Sequence, residues 1–261
     1  MDIFQAIGAR KSVRTFDGRP LSEKDAHELS RVLKETESPF GGKIFTEIFS
    51  VGKEELKVPS TYGVIKGARS FILVAVDESD IERSTLSAGY VCEAAVLKAT
   101  QIGAGTCWLG GTFSRKDFKP AAAIPDGFRL IAVIPVGYPA DKARFLERMM
   151  RRMAGSDGRK PFGELFYENS WGRPLPESSP LKPALDALRL APSSTNSQPW
   201  RVIVCKNKAH FYYKPGMYAL LDMGIGTYHF GVMCQSSVKW VEDPGAPVAS
   251  SPYIYLCTAL V

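Results

Sequence analysis

The sequence predicts an α+β protein whose mixed central sheets are flanked by helices, in two pseudo-symmetric halves of one chain. Three observations carry this expectation. Phe71-Ile-Leu-Val-Ala-Val76 and Leu130-Ile-Ala-Val-Ile-Pro-Val136 are short, unbroken apolar runs, the mark of strands covered on both faces. Between them, Val91, Ala94, Ala95, Lys98 and Ile102 fall on neighbouring turns of a helix over 84–102 that is rich in small residues and stops at Gly103. Third, the pattern restarts after a basic connector.

In chain order, Ser22 caps a helix over 22–36, with Asp25 at its third position and Ala26, Leu29, Val32 and Leu33 as its inward stripe. Ile44–Val51 reads as the first strand, followed by 71–76, the helix over 84–102 and the strand over 130–136, which ends at Gly137-Tyr138-Pro139. Residues 142–160 are dense in Lys and Arg and read as a basic helix to about Ala154 followed by a loop. The second half then repeats the punctuation of the first. Gly18-Arg-Pro-Leu21 returns as Gly172-Arg-Pro-Leu175, with Glu23 and Glu177 each two places on. A helix with Leu185 and Leu188 inward follows the second copy. Ser38-Pro39 and Ala191-Pro192 each lead into a strand, Ile44–Val51 and Arg201–Cys205. Leu86-x-x-Gly89 matches Leu221-x-x-Gly224, and 130–136 is echoed by Tyr253–Ala259. The expected division is 1–155 and a shortened 156–261, together forming one compact unit.

Composition narrows the function classes. With 45% hydrophobic and 23% charged residues in 261, the chain can bury a large core. No apolar run reaches transmembrane length. An early acid and the lack of a basic n-region argue against a signal peptide, so the expected compartment is the cytoplasm. Five scattered cysteines without a CxxC read as reduced thiols, and three distant histidines give no metal-ligand spacing. The net charge of +6 suits nucleic acid, a membrane surface or a phosphate-bearing small molecule. Nucleic acid is not an expected partner, because the basic stretch lacks interleaved aromatic residues and any known module.

Three segments could carry chemistry. Arg10-Lys-Ser-Val-Arg14 gathers guanidinium forks, an ammonium and a hydroxyl in five residues, a set that can grip phosphate. Ala191-Pro-Ser-Ser-Thr-Asn-Ser-Gln-Pro-Trp200 offers hydroxyls and amides on a loop anchored by two prolines and a tryptophan. Gly103-Ala-Gly-Thr-Cys-Trp-Leu-Gly-Gly111 lets backbone N–H groups approach a ligand, without the spacing of a dinucleotide fingerprint or the lysine of a P-loop.

At these segments the chain resembles the FMN-dependent nitroreductase family. Arg10-Lys-Ser-Val-Arg-x-Phe16 is similar to the family's opening Arg-Arg-Ser-x-Arg-x-Phe, and Ala191-Pro-Ser-Ser-x-Asn-x-Gln-Pro-Trp200 to its second signature. Gly137-Tyr-Pro with Lys142-x-Arg144 resembles its closing motif. The first half has Ser38-Pro-Phe-Gly-Gly-Lys-Ile-Phe45 where Ser-Ser-x-Asn is expected, and the second has Glu164–Asn169 where Arg-Lys-Ser is expected. Each half keeps what the other lost. The resemblance is therefore to tandem, fused nitroreductases: a single-chain pseudo-dimer with one complete FMN site.

The resemblance implies a three-layer α/β/α fold and a set of roles. Arg10 and Ser12, with Lys142 and Arg144, would hold the FMN phosphate, with Lys11 beside them. Arg14 would reach the ribityl chain or the pyrimidine edge. Trp108, Leu109, Gly110 and Gly111 would border the ring near N5. Ser193, Ser194 and Asn196 would serve the ribityl chain and phosphate. No catalytic acid, nucleophile or metal of the protein's own is implied, since hydride passes at FMN N5. The implied activity takes hydride from NAD(P)H and reduces a small electron-poor acceptor, a nitroaromatic or a quinone, by ping-pong turnover. The expected state is a monomeric pseudo-dimer, with further self-association open. The alternative is a non-catalytic FMN-binding protein, a sensor or store, on the same fold.

Overall fold

The computed structural model describes residues 1–52, 54–55, 57–118, 123–140, 158–234 and 238–261. The predicted basic helix over 142–154, with Lys142 and Arg144, lies outside the described residues. The chain divides into two compact units, Met1–Ser156 and Asp157–Val261.

The first unit opens with α1 (Ile3–Ala9). It starts at a capping box, in which the Asp2 side chain accepts from Gln5 N and the Gln5 side chain accepts from Asp2 N. The predicted helix after Ser22 is α2 (Glu23–Glu35), and Ser22 Oγ accepts from Asp25 N at 3.1 Å. Strands β1 (Ile44–Ser50), β2 (Ser70–Asp77), β3 (Gly105–Thr106) and β4 (Phe128–Gly137) form one antiparallel sheet in the order β1-β2-β4-β3. The apolar run of β2 is buried along its whole length: β1 and β4 cover its edges, α3 packs against it, and Phe71 and Leu73 enter the core cluster. Helix α3 (Ile81–Gln101) packs against β2, and Gly103, at φ +83°, stops the chain behind it. It begins three residues earlier than the sequence suggests. Asp80, its N-cap, makes no side-chain cap bond, so no capping signal marks the boundary. Short α4 (Arg115–Phe118) places Phe118 in the core beside Phe71 and Phe113.

The second unit holds α5 (Phe162–Leu165), β5 (Phe166–Glu168), α6 (Lys182–Leu190), β6 (Trp200–Cys205), β7 (Lys208–Tyr213), α7 (Ala219–Met233), β8 (Lys239–Val241) and β9 (Ile254–Leu260). Its sheet runs β5-β6-β7-β9-β8 and is mixed, with β5 parallel to β6 and every other pair antiparallel. Without β5, its order and directions are those of the first sheet. In each unit two antiparallel strands are followed by a long helix. The next strand then pairs on the outer side of the last one. Gly18 and Gly172, which open the two Gly-Arg-Pro-Leu segments, both take left-handed conformations, at φ +87° and +78°. Leu21 and Leu175, which close them, are both buried.

Candidate functional site

In the first unit, Arg10 to Phe16 leaves α1 as an extended segment. Ser12 bridges Thr106 in parallel, Val13 N donates to Thr106 O at 2.8 Å, and Phe16 N donates to Lys66 O at 2.8 Å. Three glycines make this seat. A Cβ on Gly105 would lie 2.5 Å from Val13 Cγ2, and one on Gly67 would lie 2.3 Å from Phe16 O. One on Gly137 would press within 3.2 Å of the Phe16 ring. Val13 and Phe16 are buried, so the alternate residues face outward or sideways: Lys11 is exposed, Ser12 and Arg14 half-buried. The motif's charges are thus mounted on a clamped strand.

Arg10 differs from the other cations of the segment. It is the C-cap of α1, and its guanidinium sits near Glu93 and Cys107. Its Nε is buried with no hydrogen-bond partner. Burial pulls the guanidinium below its usual pKa, against the opposing pull of Glu93 and then Cys107. Glu93 is itself fully buried on α3 and accepts the indole N–H of Trp108 at 2.9 Å. Leu109 is buried and exchanges both backbone bonds with Val133 at 3.0 Å. The segment 105–109 therefore runs along β4, with Trp108 tied back to α3, while Gly110 is half-buried and Gly111 exposed. Glu93 was not among the residues the sequence singled out. Its signal is a lone acid inside Val91-Cys-Glu-Ala-Ala-Val96, where a carboxylate survives burial only with partners.

In the second unit, the loop 191–199 is held by its own polar groups. Ser193 Oγ accepts from Gln198 N at 2.9 Å. Ser194 N donates to both Asp222 carboxylate oxygens, at 3.0 and 3.1 Å, and Ser197 Oγ donates to Asp222 Oδ2 at 3.3 Å. Asn196 uses its amide inside the unit: Nδ2 donates to Gly158 O at 2.8 Å, and Oδ1 accepts from Arg159 at 3.2 Å. Gln198 is buried and accepts from Lys160 N at 2.8 Å. Thr195, Asn196 and Gln198 all have positive φ, at 51°, 56° and 49°, an uncommon concentration for residues with a side chain. Trp200 is fully buried against Gly226 of α7, where a Cβ would meet the indole at 3.2 Å. Asp222 was missed too; it is the one acid in Ala219-Leu-Leu-Asp-Met-Gly224. The corresponding loop of the first unit is pinned differently. Ser38 Oγ donates to Ser87 Oγ at 2.8 Å, and Lys43 N donates to Ser84 Oγ at 3.0 Å. A Cβ on Gly42 would lie 2.4 Å from Ser84 N, so that loop lies directly on α3.

These motifs and sheets have a clear counterpart among known proteins. The family described as "Putative TM nitroreductase" matches residues 2–234. The chain belongs to this nitroreductase family. Its fold is that of a nitroreductase described as putative from Thermotoga maritima. The two share 19% identity at a TM-score of 0.65, and the match covers 100% of this chain and 94% of that one. An uncharacterized 15.4 kDa protein of Mycolicibacterium smegmatis is 27% identical over 137 residues, 52% of this chain and 92% of its own length. A nitroreductase with bound FMN from Desulfitobacterium hafniense matches 53% of the chain and 90% of its own length, at 16% identity and a TM-score of 0.43. Family and fold are therefore those of nitroreductase-type oxidoreductases. Among the described residues of this family member, no helix is long and apolar enough to cross a membrane.

Proposed function

We propose that this nitroreductase-family chain binds FMN and reduces nitroaromatic, quinone or similar electron-poor small molecules at the expense of NAD(P)H. The carrying observation is the Arg10 guanidinium. A half-buried cation whose Nε is buried without a partner, on a segment clamped by Gly67, Gly105 and Gly137, fits an anionic group such as a phosphate. Bound FMN would supply the two-electron chemistry, accepting hydride from the nicotinamide and yielding electrons to the second substrate.

The chain's own work is positioning. Arg10 and Ser12 would take the phosphate, with Lys11 beside them and Lys142 and Arg144 as further cations. Arg14 would lie along the ribityl chain or the pyrimidine edge. Trp108, Leu109, Gly110 and Gly111 would border the ring, their backbone fixed by β4 and by the Trp108–Glu93 bond. Ser193, Ser194 and Asn196 would complete the ribityl contacts from a loop stiffened before any ligand arrives. The recurring strand order of the two sheets supports reading the chain as a fused pair of nitroreductase halves. The division of the two signatures between the halves supports one flavin per chain, a pseudo-dimer with one working site.

An absorbance spectrum of the purified protein, with released flavin counted per chain, tests this. The expected result is a two-band flavin spectrum, about one FMN per chain after reconstitution, and bleaching by NADH or NADPH. Two FMN per chain would refute the single site. A protein that cannot be reconstituted would refute the cofactor. Bound FMN that no nicotinamide bleaches would leave a flavin binder without this activity.

A further inference from the structure

A cavity of about 370 Å³ in the second unit is lined by cations that the flavin reading does not use. Lys160, Arg201 and Lys214 all face it. They crowd one another: burial lowers the Lys160 pKa, and the charges of Arg201 and then Lys214 lower it further. Among the described residues none of the three forms an ion pair. Two are fixed in place by carbonyls of the adjoining loop. Lys160 Nζ donates to Ser197 O at 2.9 Å, and Arg201 donates to Trp200 O at 2.7 Å and Gln198 O at 3.3 Å. Arg201 is only 8% exposed, its guanidinium lies 5.0 Å over the Tyr253 ring, and its Nε has no partner. Lys214 is exposed. The one carboxylate on the wall, Asp222, has both oxygens turned to Ser194 and Ser197.

Glu164 acts on Lys160 only as the weakest of these influences, and like charges held together without a contacting counter-ion are costly unless something anionic joins them. The same cavity also has apolar lining, from Pro199, Pro215, Met217 and Tyr218. The volume lies within the range of small-molecule sites and well above that of a single ion. We propose that this cavity binds a small organic oxyanion, a ring-bearing carboxylate or a phosphate ester. The anionic group would lie toward Lys160 and Lys214 and the ring on the apolar lining. The site lies within the second unit and shares Ser194 of its lining with the flavin assignment, so competition between the two ligands tells them apart.

The test is a fluorine NMR titration of the full chain with 4-fluorobenzoate, and with 4-fluorobenzamide as its uncharged isostere, at constant ionic strength. The expected result is saturable binding of the benzoate at one site per chain and much weaker binding of the amide. Lys214→Gln should weaken the benzoate about tenfold, the scale of one charged hydrogen bond, and Lys214→Arg should restore most of it. Lys24→Gln, an exposed lysine on α2, should change nothing. Displacement by inorganic phosphate would assign the site to phosphate esters, and resistance to it would assign the site to carboxylates. Equal binding of benzoate and benzamide, or an unchanged affinity in both Lys214→Gln and Lys214→Glu, would overturn the proposal. So would competition by FMN, which would make the cavity part of a flavin site. Failure to reconstitute with FMN would leave the titration readable.

Discussion

Asp222 receives the backbone N–H of Ser194 on both carboxylate oxygens, a bidentate contact that ties α7 to the loop 193–198. The carboxyl is 3% exposed. Burial pushes it up to about 7, and the bonds from Ser194 and Ser197 only partly offset this. Ionised, it accepts all three bonds; protonated, one oxygen must donate.

A stability prediction follows from the sign of that shift. Between about pH 4 and 7 the folded protein keeps a proton at Asp222 that the unfolded chain has released. The contribution of this carboxyl to stability is therefore fully present near pH 4. It is lost as pH rises through 7. Asp222→Asn cannot titrate and should lack this slope. The difference in melting temperature, wild type minus variant, should fall from pH 5 to about pH 7 and level off by pH 8. A difference that stays constant over that range would show that Asp222 does not hold its proton.

Gly105 and Val13 give a second prediction. A methyl group at Gly105 would overlap the Val13 side chain at 2.5 Å, and Val13 is the buried peg of the segment that carries Arg10, Ser12 and Arg14. Gly105→Ala should destabilise the protein by about 1–3 kcal/mol, the usual cost of overpacking, and should lower flavin retention. Val13→Ala removes both methyls, at 2.5 and 3.0 Å, and leaves only the Cβ, at 2.7 Å, to move aside. The double variant should then be more stable than the sum of the two single changes predicts, a coupling that urea denaturation of all four proteins measures. Strict additivity would mean that the two sites do not touch.

The contrast between what the sequence disclosed and what it hid has a physical basis. The capped helix at Ser22, the apolar runs of β2 and β4 and the glycine stop at 103 were legible because each is a local signal. Recurring punctuation, Gly18-Arg-Pro-Leu21 and Gly172-Arg-Pro-Leu175, pointed to units whose sheets share one strand order. Glu93 and Asp222 were not legible, because their meaning is long-range. Glu93 acts fifteen residues away on Trp108, and Asp222 acts twenty-eight residues away on Ser194. Asn196 stands in a signature that suggests a ligand contact, and its amide also bonds Gly158 and Arg159, a long-range tie that no local signal announces. The start of α3 escaped because its N-cap, Asp80, makes no cap bond.

The Trp108–Glu93 bond separates packing from polar positioning in the segment before Gly110. Trp108→Phe keeps an aromatic ring but withdraws the indole N–H that Glu93 accepts at 2.9 Å. A buried carboxylate that loses a donor costs about 1–3 kcal/mol, so the variant should unfold at lower urea concentration with an unchanged m-value. Trp108→His restores a ring N–H donor and should recover part of the loss if that nitrogen reaches Glu93. Were Trp108 mere filler, phenylalanine, which keeps a large apolar ring, would be the better tolerated of the two despite the volume it loses, and the smaller, polar histidine the worse. Urea denaturation of the wild type and both variants at one pH decides between these rankings: histidine above phenylalanine places the role in the hydrogen bond, and the reverse places it in the ring.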